Sequence, residues 1–117
     1  MRVISQNGKS DIPYEYFAFS IVGNGSGYSI IATRNIAEPP EVAMNSVIAT
    51  YSTKEKAIKA MEMLREQYKR LEVLKVLASG TVEHMEKTLE HDELIEYNLA
   101  YRDMNVFQFP QDDEIEV

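Results

Sequence analysis

Apolar and polar positions alternate with a period of two through the N-terminal part of the chain, then switch to a period of three to four from about Ser52. Arg2 to Ser5 begins as a short β-prone segment. Gln6-Asn7-Gly8-Lys9 follows, and Asn-Gly is a preferred pair for a two-residue hairpin turn, so a return arm is predicted from about Asp11. Pro13 has no N–H to give a ladder and marks an edge or a strand start. Tyr14 to Val22 reads as a strand with Tyr16, Ala18, Ser20 and Val22 on one face and the greasier Phe17, Phe19 and Ile21 on the other. Gly23-Asn24-Gly25-Ser26-Gly27 is a turn. Its glycines do not make a phosphate loop, because no Lys-Ser/Thr follows and the next segment is a strand. Tyr28 to Thr33 is a third strand, Arg34 to Asn45 with Pro39-Pro40 a loop, and Ser46 to Tyr51 a fourth strand. Four strands joined by short connections predict an antiparallel meander, which keeps one face dry and needs a cover.

The cover is a long amphipathic helix. Ser52-Thr53-Lys54-Glu55 has the spacing of a capping box, in which the Ser52 hydroxyl takes the Glu55 N–H and the Glu55 carboxylate returns to Ser52. Ala57, Ile58, Met61, Leu64, Tyr68 and Leu71 then form one apolar stripe. Glu55, Lys59, Glu62, Glu66 and Arg70 take the other side, predicting a helix from about Thr53 to Leu71 or beyond. Glu72 to Ala78 suits either a helical extension or a strand. Ser79-Gly80 breaks the pattern, and Thr81 to about His91 reads as a second, shorter helix with Val82, Met85 and Leu89 inward. Met61, Met63 and Met85 are core filling at helical spacing. Asp92 to Arg102 fits no one element. Asn105 to Phe109 alternates and stops at Pro110, a last short strand returning to the sheet. The fold class is therefore α+β: an N-terminal antiparallel sheet of about four strands, a long helix, a second shorter helix and a short C-terminal strand. At 117 residues the chain is expected to be a single domain over 1–117, ending in an acidic tail at 111–117.

Charge sharpens this picture. Twelve basic and 19 acidic residues give −7. Seven bases (Lys54, Lys56, Lys59, Arg65, Lys69, Arg70, Lys75) crowd the long helix, as a solvated face or as a patch facing phosphates. From Glu83 onward, 11 acids face two bases, Lys87 and Arg102. Such acidity argues against a DNA duplex as partner, which needs a basic footprint. The terminal Asp112-Asp113-Glu114-Ile115-Glu116-Val117 reads as a solubilising tail, or as a weak imitation of nucleic acid. The chain has no cysteine, which excludes a disulfide scaffold, a thiolate metal site and a cysteine nucleophile, and suits a reducing cytoplasm. The apolar runs are too short and too interrupted to span a bilayer, and MRVISQNGKS lacks the apolar core of a signal peptide.

Candidate chemistry favours binding over catalysis. His84 and His91 lack metal-ligand spacing, and none of the G-x-S-x-G, His-Glu-x-x-His and G-x-G-x-x-G patterns occurs, so no metal, cofactor or enzymatic activity is expected. Tyr97 to Asn105, by contrast, offers flat rings, amides and a guanidinium, the groups that stack on a purine and clamp a phosphate. The same segment could instead pack Tyr101 and pair Arg102 with Asp103 or Glu96. Arg34, isolated at a strand end, is a second candidate anion ligand with a similar alternative.

Three blocks of sequence carry a resemblance. They are Met1-Arg2-Val3-Ile4-Ser5-Gln6-Asn7-Gly8 with Asp11-Ile12-Pro13-Tyr14-Glu15, then Ile48-Ala49-Thr50-Tyr51-Ser52-Thr53-Lys54-Glu55-Lys56-Ala57, and last Phe107-Gln108-Phe109-Pro110-Gln111-Asp112-Asp113-Glu114. Covering about a quarter of the chain, they resemble small proteins of clostridial phages and prophages. Among such proteins, the size and layout resemble the Thoeris anti-defence sponge family, first type. The resemblance implies a protein of the host bacterial cytoplasm that binds cyclic ADP-ribose isomers made by TIR-domain enzymes, without degrading them. It also implies cyclic trinucleotides as further ligands and a homo-oligomer, dimer or hexamer. It implies a pocket of aromatic rings and arginines, for which the candidates here are Arg102, Tyr101, Asn98, Asp103, Met104 and Phe107, with Arg34 and Tyr28 in the sheet. The alternative function is a phage-encoded protein-interaction inhibitor, using the acidic C-terminal half against a basic partner.

Overall fold

The computed structural model describes residues 1–34, 45–88 and 102–117, with side chains for all of these but 77–88. The fold is α+β. Its strands are β1 (Arg2–Ile4), β2 (Asp11–Pro13), β3 (Phe17–Asn24), β4 (Gly27–Arg34), β5 (Asn45–Tyr51) and β6 (Val106–Gln108), and its long helix is α1 (Lys54–Thr88). Residues 102–104 belong to a second helical segment.

The strands divide between two sheets instead of running as one meander. β3-β4-β5 is an antiparallel meander, and β2-β1-β6 is a second sheet in which β6 lies parallel to β1. The break falls at Tyr14–Tyr16, expected as strand and found as one 3-10 turn. Pro13 at the end of β2 deprives the ladder of a donor, and the turn redirects the chain so that β3 starts at Phe17. Pro13 sits on an edge strand, as its chemistry requires. The first hairpin also differs from expectation. Ser5 N–H bonds the Ser10 carbonyl at 2.9 Å, leaving a four-residue loop closed by Asn7, whose Oδ1 accepts from Lys9 N–H and the Ser5 hydroxyl. Gly8 takes φ +74, where glycine is strongly favoured. The β3–β4 hairpin is tight, with Asn24 opposite Gly27.

α1 packs across β3, β4 and β5. Ala57, Ala60, Leu64 and Leu71 are buried on it, while Ile58 is 38% exposed: the true stripe runs through Ala60 in place of Ile58. Glu72 to Ala78 is helical, and the backbone passes through Ser79-Gly80 without a break, so the expected second helix is, as far as Thr88, the end of the first. A glycine in mid-helix costs about 1 kcal/mol, less than the loss of nucleating a new helix. The helix cap is Thr53, whose Oγ1 accepts the Lys56 N–H at 3.2 Å. Ser52 is held elsewhere, its N–H and hydroxyl both donating to Asp112.

One buried cluster joins both sheets and α1: Val3 and Phe107 from the smaller sheet, Ile30, Ile48, Ala49 and Tyr51 from the larger, and Leu64 and Leu71 from the helix. A β-bulge in β5, at the register shift beside Ile30 and Ile31, lets the adjacent Ile48 and Ala49 both be buried. Gln6 stitches the sheets together. Its amide nitrogen donates to the Thr50 carbonyl at 3.1 Å and its amide oxygen accepts the Thr50 N–H at 3.0 Å, as a neighbouring strand would. The C-terminal residues expected to be a solvated tail are docked instead: Ile115 is buried, and the Gln111 amide donates to the Gln6 carbonyl at 2.7 Å.

Candidate functional site

The 3-10 turn that separates the sheets also places Tyr14 over the helix. Its ring stacks on Tyr68 at 4.2 Å between centroids and on Phe19 at 5.7 Å. Phe19 leans on Phe109, and Phe109 meets Phe107 edge to face at 5.2 Å. A column of five rings thus runs from the surface of α1 into the core. At its outer end lies a cleft of about 460 Å³ between α1 and β3, lined by Tyr14, Phe17, Phe19, Tyr68, Met61 and Arg65 among others. Period two turns Phe17 and Phe19 to the same face of β3, and the i, i+4, i+7 spacing of Met61, Arg65 and Tyr68 brings those three to one flank of α1. The volume falls within the range of small-molecule sites.

Charge in the cleft is uneven. Glu15, at its rim, bonds the Met1 ammonium at 2.7 Å. Burial works to raise the Glu15 carboxyl, but that bond and the nearby cations hold it below the usual carboxylate range. Burial, followed by the charges of Glu72 and Glu15, pushes the Tyr68 hydroxyl up, so its ring stays neutral. Arg65 makes no ion pair with a carboxylate among the described residues; its Nε reaches only the Met61 carbonyl, at 3.5 Å. The cleft therefore presents aromatic rings beside a guanidinium that has no ion pair among the described residues. That arrangement can stack a planar base and bond an anion.

The residues expected from the sequence are dispersed. Phe107 is 6% exposed, at the buried end of the ring column, where it packs and does not meet solvent. Met104 packs against the core, and its carbonyl accepts from Gln67 Nε2 at 3.0 Å. Arg102 and Asp103 are exposed. Tyr101 and Asn98 lie outside the described residues. Tyr28 and Arg34 stand at opposite ends of β4, about 20 Å apart at 3.3 Å per residue. Tyr28 lies over Gly23, where an added Cβ would come within 2.9 Å of its ring. Arg34 is opposite Phe17 in the ladder, beside a second hollow of about 340 Å³ lined by Ile12, Pro13, Tyr16, Phe17, Arg34 and Ser46. The cleft residues Tyr14, Arg65 and Tyr68 were not expected as a site. The available signal was Arg65 and Tyr68 three apart at the margin of the helical stripe. No protein-family model, curated protein or solved structure matches the chain.

Proposed function

We propose that this protein is a sponge: it sequesters a cyclic nucleotide signal, a cyclic ADP-ribose isomer, without degrading it, and so blocks Thoeris signalling by TIR-domain enzymes. The observation that carries the reading is the cleft between α1 and β3, where stacked tyrosines meet an arginine that has no ion pair among the described residues, in a chain of strong net negative charge. An acidic surface repels long nucleic acid, while a small local cleft still takes one nucleotide through a local cation. The resemblance of the terminal and central blocks to the Thoeris anti-defence sponges points the same way. In this reading the protein works in the host cytoplasm as a homo-oligomer.

The test is calorimetry and thermal shift with cyclic ADP-ribose isomers and, separately, cyclic trinucleotides, followed by release of the bound ligand through heating. Binding raises the melting temperature as RT ln(1 + [L]/Kd) requires, and the ligand is recovered intact. Arg65→Ala weakens binding by about 1.5–3 kcal/mol, the range for a hydrogen bond to a charged group. Recovery of a cleaved product would make the protein an enzyme. A second reading, a protein-interaction inhibitor, draws on Val73, 53% exposed on α1 in a shallow apolar hollow with Lys69 and Glu72. Absence of any shift with every cyclic nucleotide would favour it.

A further inference from the structure

The dipeptide Asn-Gly occurs twice in the chain, as Asn7-Gly8 and Asn24-Gly25. It is chemically fragile, because glycine has no side chain to keep its backbone nitrogen away from the amide carbon of the preceding residue. The fold treats the two copies differently. Both asparagines are exposed, and the side-chain oxygen of each takes two donors. Asn7 Oδ1 accepts from the Ser5 hydroxyl at 2.7 Å and the Lys9 N–H at 3.0 Å. Asn24 Oδ1 accepts from the Ser26 N–H at 2.9 Å and the Ser26 hydroxyl at 3.0 Å. The difference lies at the glycines. Gly8 N–H donates to the Ser5 carbonyl at 2.9 Å, inside the loop that the Ser5–Ser10 bond closes. Gly25 N–H has no hydrogen-bond partner among the described residues, and a Cβ added at Gly25 would meet nothing within 4 Å.

We infer that Asn24 is a site of self-modification: in the folded protein its side-chain amide is lost to attack by the Gly25 backbone nitrogen, giving aspartate and isoaspartate, while Asn7 is spared. The Gly25 nitrogen gives its proton to solvent and bonds Asn24 Cγ, closing a five-membered ring. The carbonyl electron pair moves onto Oδ1, where the two Ser26 donors already point, as donors do in an oxyanion hole. Collapse expels Nδ2, which takes a proton and leaves as ammonia. Water then opens the cyclic imide at either carbonyl, restoring the main chain through Cα as aspartate or rerouting it through Cβ as isoaspartate; one water enters and one ammonia departs. At Asn7 the same oxygen is held, but the nucleophile is engaged by the Ser5 carbonyl. The product adds one negative charge at the residue that pairs with Gly27, and isoaspartate lengthens the backbone at that last rung of the β3–β4 ladder. Asn24 stands five residues from Phe19, about 17 Å along β3, so the modification is independent of the cleft and of the sponge reading.

The experiment incubates the full chain, folded and in concentrated urea, in mildly alkaline buffer, and follows each site by tryptic digestion and mass spectrometry. Trypsin cuts after Arg2, Lys9 and Arg34, so Asn7 and Asn24 fall in separate peptides, and conversion makes a peptide one mass unit heavier and splits its chromatographic peak into aspartate and isoaspartate forms. In the folded protein Asn24 is expected to convert about tenfold faster than Asn7 or more, and in urea the two rates converge. Ser26→Ala removes one of the two donors at an exposed hairpin tip and slows Asn24 by about 2- to 10-fold, the worth of one hydrogen bond in a rate, without changing Asn7. Gly25→Ala, for which the hairpin has room, slows it by crowding the attacking nitrogen. Equal rates at the two sites in the folded protein, or a ratio no different from that in urea, overturns the assignment. An Asn24 rate unchanged in Ser26→Ala overturns the part given to Ser26.

Discussion

Leu64 shows what a single position of the helical stripe contributes. It is 1% exposed, between α1 and the larger sheet, and also forms part of the cleft floor. Leu64→Ala should cost about 2–5 kcal/mol in a urea titration, by lost transfer and a cavity left behind; a loss under about 1 kcal/mol would mean the helix packs elsewhere. Such positions were legible in the sequence because burial follows periodicity. Phe17, Phe19 and Ile21 turn inward together for the same reason, as the alternation in β3 required. Ile58 and Ala60 were harder. The larger side chain looked like the inward one, but close approach of α1 to the sheet favours the smaller, and Ala60 is fully buried. Phe107 erred in the opposite direction. A phenylalanine beside polar candidates looked available for stacking on a ligand, and its pairing with β1 puts it in the core.

At the scale of elements, caps and turns were less legible than strands and helices. The Ser52 capping box was a fair reading of local sequence, yet Thr53 caps α1 because Asp112, 60 residues away, claims Ser52. Asp112 Oδ2 also takes the Lys56 ammonium at 3.3 Å. The Ser52 backbone N–H foremost, then its hydroxyl and Lys56, hold the Asp112 carboxyl below the usual range. The sign follows: a group whose pKa is depressed in the folded state stabilises the protein above its unfolded pKa of about 3.9, and that contribution disappears as pH falls through the lower folded value. Urea titrations of wild type and Asp112→Asn from pH 6 down to pH 3 should therefore differ most at pH 6 and converge on acidification. A constant gap across that range would show that the carboxylate charge plays no part. Gly27 offers a second check at this scale. It has φ +149, and an added Cβ would stand 2.7 Å from the Tyr51 carbonyl oxygen, so Gly27→Ala should destabilise the β3–β4–β5 sheet by about 1–3 kcal/mol in thermal melts. An unchanged melting temperature would mean the hairpin relaxes freely.

Across the whole molecule, the pattern of strands did not reveal their partners. Local alternation says where a strand lies and which face it buries, but not whether its neighbour is ten residues away or a hundred. Hence the α+β class and the order of elements could be read, while the division into two sheets could not. For the same reason the cleft escaped notice: Tyr14, Phe19 and Tyr68 come together only through a turn and a helix crossing. Gln6 is a device of this larger scale. Gln6→Ala would leave the Thr50 backbone groups and the Pro110 carbonyl without their amide partner, and should lower stability by about 1–3 kcal/mol if no water replaces it.

The parallel pairing of β1 with β6 sets a timetable. Val3 lies opposite Phe107, and Arg2 N–H bonds the Asn105 carbonyl at 2.8 Å. A ribosome adds about 5–20 residues per second, so β1 waits roughly 5–20 s before the strand that completes its sheet has been made. The meander β3-β4-β5 has only near neighbours to find and can pair at once, but α1 must also emerge before that sheet has its cover. During this interval Val3, Phe19 and Tyr51 belong to a nascent chain with no closed core, whose unpaired β1 edge is open to any strand that passes. Synthesis of β6 is thus the step that lets β1 complete its sheet, and synonymous codons that slow the ribosome before Val106 should lengthen the exposure of the nascent chain to chaperones and proteases.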